Sequence, residues 1–147
     1  MVTAVLGIGN TLRSDDGAGP YLCSLLKKYD EIISFDCASA PENFTGAVRK
    51  LNPDLLIIAD AALMGLSAGD YRIIPNDKIE DTAIGTHSLS LSHLVNYLSD
   101  CAGRVVVIGI EPQNLDFSEN ISDKVRSSVI ELSIKIAEDN LDLIRNL

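Results

Sequence analysis

The stretch Leu55-Leu56-Ile57-Ile58-Ala59, which Asp60 follows directly, decides the fold of this chain. A continuous apolar run of this length is typical of a central β-strand whose two faces are both covered by other elements. Strands of that kind occur mainly in parallel sheets flanked by helices. The run therefore predicts an α/β protein with this strand near the middle of its sheet.

The segments on either side of this run alternate between strand-like and helix-like patterns. Strands are predicted at residues 2–8, 32–37, 55–59, 71–74 and 105–110, and helices at 17–29, 41–51, 89–98 and from about 122 to near the C-terminus. The segment 71–74, between Gly69 and Pro75, is short enough to be an edge strand. This alternation predicts one domain, residues 1–147, with a mainly parallel sheet and helices on both faces. Functional residues of such folds lie at the carboxyl ends of the strands.

Composition excludes several classes of function. The formal net charge of −9 argues against nucleic-acid binding and against anionic membrane surfaces. No apolar run is long enough to cross a bilayer, and the first residues do not resemble a signal peptide, so a cytoplasmic location is expected. The widely spaced Cys23, Cys37 and Cys101 are predicted to be buried thiols in a reducing compartment.

A glycine-rich loop, G-I-G-N-T-L-R-S-D-D-G-A-G at 7–19, follows the first predicted strand. It begins like a dinucleotide fingerprint, but the third glycine is not at the required spacing, and Asp15 and Asp16 would repel a pyrophosphate. A nucleotide-binding module is therefore the least favoured interpretation. One or both acids could cap the following helix, and we assign that role to Asp15. Gly17 and Gly19 indicate a close approach of the backbone to another group.

Two further candidates are Asp60 and His87. A carboxylate at the end of a buried strand is costly unless it lies in a cleft, is hydrogen-bonded or binds a cation, although a turn-forming aspartate is the alternative. His87 lies in the loop Gly85-Thr86-His87-Ser88, where an imidazole can be presented. The other histidine, His93, is predicted to lie on a helix surface.

Two carboxylates and one imidazole on separate loops would form an open site for a divalent metal ion if the fold brings them together. The chain contains no H-E-x-x-H motif and no G-x-S-x-G motif. Their absence argues against an ordinary zinc protease and against a serine hydrolase of the nucleophile-elbow type.

Six sequence blocks, in one order along nearly the whole chain, resemble the hydrogenase maturation endopeptidases, in particular those that process membrane-bound and formate-linked [NiFe] hydrogenases. The blocks are G-I-G-N-T-L-R-S-D-D-G-A-G-P at 7–20, S-A-P-E-N at 39–43, L-L-I-I-A-D-A at 55–61, M-G-L-S-A-G-D-Y-R-I-I at 64–74, G-T-H-S-L-S-L at 85–91 and V-I-G-I-E-P at 107–112. The resemblance implies a single-domain, three-layer sandwich with a twisted five-stranded sheet.

The resemblance also implies an activity and a set of site residues. Proteins of this family remove a C-terminal extension from the hydrogenase large-subunit precursor after nickel insertion, and the metal-contacting residues correspond to Asp16, Asp60 and His87. Nickel would then arrive with the substrate as the recognition element, although other divalent cations could occupy the site. Asp16 is our candidate general base. The alternatives are a nickel checkpoint that binds the precursor without cutting it, and an unrelated metal-dependent amidase or peptidase on a similar sheet.

Overall fold

The computed structural model describes residues 1–82 and 90–147. The strands are β1 (Thr3–Ile8), β2 (Ile32–Ala38), β3 (Leu55–Ala61), β4 (Tyr71–Ile73) and β5 (Arg104–Ile110), and the α-helices are α1 (Ala18–Leu26), α2 (Thr45–Leu51), α3 (Leu91–Leu98) and α4 (Asp123–Ala137). Short 3-10 turns lie at Ser14–Gly17, Pro41–Phe44, Asn76–Lys78, Glu80–Thr82 and Leu141–Leu143.

The five strands form one sheet in the order β2-β1-β3-β5-β4. Every neighbouring pair is parallel except β4 and β5, which are antiparallel. Strand β3 lies in the middle of the sheet and is buried along its whole length. The predicted central position of the run 55–59 and the predicted edge position of β4 are both confirmed.

Helices cover both faces of the sheet, and each face has its own apolar core. Ile57 and Ala59 of β3 belong to the core beneath α1 and α4, whereas Leu56 and Ile58 belong to the core beneath α2 and α3. This division follows from the strand geometry, since successive side chains point to opposite faces. Each fully buried Leu or Ile contributes about 1.5–3 kcal/mol to folding. The predicted α/β fold, a mainly parallel five-stranded sheet between helices, is confirmed.

Most element boundaries agree with the sequence pattern, and the differences have physical reasons. Helix α4 begins where the sequence predicts, and the apolar residues that recur along it at helical spacing are buried: Val125, Val129, Leu132 and Ile136. Helix α1 ends at Leu26 rather than at Tyr29, because Lys27 and Lys28 are exposed and offer the core nothing to bury. Strand β3 continues past Ala59 to Ala61, because β5 supplies partners for both added residues.

Helix α1 packs tightly onto the sheet at Gly19. A Cβ atom at this position would lie 2.5 Å from the carbonyl oxygen of Ile8 and 2.7 Å from that of Ala59. Only glycine allows the helix to approach the ends of β1 and β3 this closely. The close approach that the sequence indicated is therefore real, and the group that approaches is the protein's own backbone.

The thiols of Cys23, Cys37 and Cys101 are free and buried, as predicted. Burial raises the pKa of Cys23 to about 12 and that of Cys37 to about 12, in both cases chiefly by desolvating the thiolate. Within residues 1–82 and 90–147, no helix is both long enough and apolar enough to cross a membrane.

Candidate active site

The two predicted aspartates meet at the carboxyl edge of the sheet. Asp60 lies in β3 and pairs with Gly109 of β5, so it is part of the strand rather than the residue after it. Asp16 lies in the 3-10 turn Ser14–Gly17, which follows β1 and rests against β3. Because β1 and β3 are parallel neighbours, their carboxyl ends bring the two acids to one place, as the fold predicts.

Asp60 occupies an environment that opposes its ionisation. The residue is only 9% exposed, and burial is the main reason that the pKa of its carboxyl is raised well above the usual 3.8. The negative charge of Asp16 raises this pKa further, whereas a hydrogen bond with the Ala61 backbone lowers it. The alternation along β3 places the Asp60 side chain on the sheet face that carries α2 and α3.

Asp16 is also buried, with 5% of its surface exposed. Its Oδ2 accepts a hydrogen bond of 2.9 Å from the backbone N–H of Asn10, across the glycine-rich loop. Its own backbone N–H donates to the carbonyl oxygen of Arg13 at 3.1 Å. The carboxylate therefore closes its loop, and neither the turn nor α1 has a side-chain cap.

The capping role predicted for Asp15 is wrong. Asp15 is completely buried, and its carboxylate accepts hydrogen bonds from backbone N–H groups of the segment between β5 and α4. The donors are Gln113 at 2.8 Å, Asn114 at 3.0 Å and Ser122 at 2.8 Å, and the Ser122 hydroxyl donates as well, at 2.8 Å to Oδ2. Asp15 does not cap the following helix, because the fold brings these donors to its carboxylate from the segment between β5 and α4.

The third predicted site residue, His87, lies outside the described residues, together with the rest of Gly85-Thr86-His87-Ser88. Its convergence with Asp16 and Asp60 remains a prediction. In the part of the chain that the structure covers, no group of three or more His, Cys, Asp or Glu side chains is arranged to hold a metal ion. His93 is exposed on α3, as predicted.

Glu111 is a buried acid that the sequence reasoning missed. It follows β5 directly, is 6% exposed, and its Oε1 accepts hydrogen bonds from the backbone N–H groups of Met64 at 2.8 Å and Leu66 at 2.9 Å. The rule that singled out Asp60, an acid at the carboxyl end of a buried strand, applies equally to Glu111. Its carboxylate holds the segment that follows β3.

An open groove of about 280 Å³ lies beside the first loop. Thr11 and Gly17 line one part of it, and both charged residues in its lining are acids, Asp36 and Glu119. Gly17 directly follows Asp16 in the chain, so one lining residue of the groove belongs to the same turn as this acid. A peptide segment lying there would meet a negatively charged wall.

The chemistry of this edge favours a cation. The buried Asp60 carboxylate, whose ionisation the charge of Asp16 opposes, is stabilised when a positive ion lies beside it, because a bound metal ion reverses the local effect on its pKa. Carboxylates together with one imidazole are suitable ligands for borderline divalent metals. Asp16 and Asp60 therefore fit two of the three predicted contacts to such an ion.

Comparisons with known proteins agree with this architecture. The solution structure of an endopeptidase, HycI, from Escherichia coli matches with a TM-score of 0.90 and 31% sequence identity, covering 100% of this chain and 97% of that one. A crystal structure of a [NiFe] hydrogenase maturation protease, HycI, from Thermococcus kodakarensis matches with a TM-score of 0.82 and 28% identity, covering 96% of this chain and 92% of that one.

Sequence similarity leads to the same family. The chain is 37% identical over 133 residues to the hydrogenase 3 maturation protease of Escherichia coli K12, covering 88% of this chain and 85% of that protein. The family model for hydrogenase maturation proteases matches residues 36–139. With its fold, its paired acids and these matches, the chain belongs to the hydrogenase maturation protease family, whose members are peptide hydrolases.

Proposed function

We propose that this protein removes the C-terminal extension of a [NiFe] hydrogenase large-subunit precursor after nickel has been inserted. The observation that carries the proposal is the pair of buried carboxylates, Asp16 and Asp60, at the carboxyl edge of neighbouring strands. The names of the relatives, hydrogenase 3 maturation protease and [NiFe] hydrogenase maturation protease, supply the class of substrate. We place the reaction in the cytoplasm, where the three free thiols would remain reduced.

In this proposal nickel belongs to the substrate. Asp16, Asp60 and His87 complete the ligand shell of a nickel ion that is already attached to the precursor, and that contact holds the scissile peptide at the edge of the sheet. The raised pKa of Asp60 supports this role, because a site that resists negative charge gains most from a cation. A precursor without nickel lacks the anchor, so the difference in binding energy distinguishes the nickel-loaded precursor from the nickel-free one.

Hydrolysis requires activation of a carbonyl group or a water molecule, and a metal ion can supply either. A carboxylate can accept the proton of the attacking water at the stage when it is not bound to the metal ion, and we assign this task to Asp16. The groove beside Gly17 offers space for the peptide that flanks the scissile bond.

The test uses purified protein with nickel-loaded and nickel-free precursor, and mass spectrometry follows the loss of the C-terminal tail. We expect cleavage of the nickel-loaded precursor alone, and Asp16→Asn and His87→Ala variants that cleave at least about 100-fold more slowly, the scale expected for the loss of a key catalytic group. Equal cleavage of both precursors would refute nickel recognition.

The same mass measurement separates an enzyme from a checkpoint protein. A checkpoint would bind the nickel-loaded precursor and leave its mass unchanged, whereas the proposed enzyme shortens it. An exposed histidine variant, His93→Ala, is the matched control for His87→Ala, because His93 lies on the surface of α3. We expect His93→Ala to process the precursor at the normal rate.

A further inference from the structure

The completely buried Asp15 has no place in the chemistry proposed above, yet its carboxylate is saturated with hydrogen bonds. Three backbone N–H groups and one hydroxyl donate to its two oxygens, at distances between 2.8 and 3.0 Å. All of these donors lie in residues 111–122, which we call the connector because they join β5 to α4. A buried carboxylate with this many donors is well stabilised and holds its partners firmly.

The connector is fastened to the first loop at further points. The backbone N–H of Ser14 donates to the carbonyl oxygen of Ser118 at 2.8 Å, and the N–H of Ser118 donates to that of Leu12 at 3.0 Å. The Ser14 hydroxyl donates to the carbonyl oxygen of Asp116 at 2.6 Å. Ser14 has a φ of 52°, a left-handed conformation that a serine adopts only when its surroundings impose it.

Asp16 is the next residue in the same 3-10 turn. A movement of the Asp15 backbone would therefore also move the backbone that carries the Asp16 carboxylate. On its other side, the Asp16 carboxylate is held by the N–H of Asn10 at 2.9 Å. The connector also reaches the segment after Asp60, since Glu111 accepts hydrogen bonds from Met64 and Leu66. One segment is therefore bound to the chain on both sides of the carboxylate pair.

We propose that Asp15 is a positioning residue, which fixes the turn Ser14–Gly17 on the connector and thereby holds the Asp16 carboxylate in its productive place. The catalytic role of Asp16 rests on the proposed function, whereas the mechanical link between Asp15 and Asp16 does not. Displacement of a reacting group by about 1 Å costs up to roughly 100-fold in rate, so a firm hold on this turn has a direct catalytic effect.

The test compares three variants with the wild-type protein. Asp15→Asn places an amide NH₂ group against backbone N–H donors and breaks part of the hydrogen bonding between residue 15 and the connector. Ser122→Ala removes only the hydroxyl donor and is the milder variant that keeps the fold. Val48→Ala, on the buried face of α2, is the control for a loss of stability in a part of the core that is remote in sequence from the connector.

The first measurement needs no substrate. The backbone N–H of Asn10 reports on its hydrogen bond to Asp16, so nitrogen-15 NMR follows its signal and its hydrogen exchange. We expect Asp15→Asn to shift this signal and to accelerate its exchange by about tenfold or more, Ser122→Ala to produce a smaller change in the same direction, and Val48→Ala to leave the signal in place. An unchanged Asn10 signal in both Asp15→Asn and Ser122→Ala would overturn the proposal.

The second measurement is the kinetics of processing, per folded molecule, with nickel-loaded precursor. We expect kcat to fall by about 10- to 100-fold in Asp15→Asn, with a rise in KM as well, because the displaced Asp16 is both the candidate base and one of the proposed contacts to the nickel of the precursor. A loss of stability with normal kcat would reduce Asp15 to a structural residue and overturn the proposal. If the wild-type protein does not cleave the precursor, the proposed function fails, while the Asn10 signal still decides the positioning role.

Discussion

Gly19 offers a sharp test of how the helix α1 is seated on the sheet. In Gly19→Ala the new Cβ would lie 2.5 Å from the carbonyl oxygen of Ile8 and 2.7 Å from that of Ala59. Carbon and oxygen atoms in close non-bonded contact are about 3.3 Å apart, so the helix must retreat by roughly 0.6 to 0.8 Å. Both obstructing atoms belong to strand backbone and cannot rotate away. We therefore expect a destabilisation of about 3 kcal/mol, the upper part of the range for overpacked cores.

Gly46→Ala is the matched control, because a Cβ at Gly46 meets nothing within 4 Å. Gly46 lies in α2, so alanine there should stabilise the protein by about 0.4–1 kcal/mol. Urea unfolding followed by circular dichroism measures both variants. We also expect Gly19→Ala to process precursor more slowly, since the retreat of α1 carries Asp16 away from Asp60. An unfolding midpoint for Gly19→Ala equal to that of the wild type would refute the reasoning.

Three further predictions concern titration and surface charge. The pKa of Cys23 and that of Cys37 are raised from 9.0 to about 12, so few of these thiols are thiolates at pH 8. Iodoacetamide at pH 8 should therefore alkylate both about 1000-fold more slowly in the folded protein than in the protein unfolded by guanidinium. Equal rates in the two states would contradict this. The pKa of Asp60 is raised by folding, so the wild-type protein, in EDTA, should lose stability as pH rises above 3.8, the value for an unfolded aspartate. Asp60→Asn should not lose stability in this way when its free energy of unfolding is measured by urea titration across the same pH range. If the stabilities of the two proteins changed in parallel with pH, the prediction would be wrong. Arg49 and Asp100 form an exposed ion pair at 3.1 Å, and a double-mutant cycle should give a coupling energy of at most about 1 kcal/mol between them. High salt should weaken this coupling. A larger value that does not depend on salt would show that the pair is not a surface interaction.

The central layers of the fold could be predicted from sequence because they depend on local pattern. The apolar run at 55–59 identified the middle strand, and the stripe on α4 identified its buried face. What the pattern could not give was the end of β3. Asp60 is a polar residue inside a strand, and it is there because β5 runs alongside it as far as Ile110. Pairing between distant strands decides such ends, and no local propensity reports on it.

The site was predictable to the extent that strand topology gathers residues. The carboxyl-end rule brought Asp16 and Asp60 to one edge, and the same rule would have identified Glu111. The role of Asp15 was not predictable in this way, because its side chain could cap a nearby helix or accept hydrogen bonds from a remote segment. The choice depends on donors about 100 positions away, as the separation of 98 to 107 residues shows.

That separation has a consequence for the order in which the protein is made. A chain synthesised from its N-terminus carries Asp15 and Asp16 long before Gln113 and Ser122 exist, so the first loop has no connector to rest on. Joining such distant segments also costs chain entropy, which grows with the logarithm of their separation. We expect the turn Ser14–Gly17 to acquire its final shape late, after β5 and the start of α4 are in place. A nascent or partly folded chain would therefore carry the acids of a peptidase without yet being able to cut.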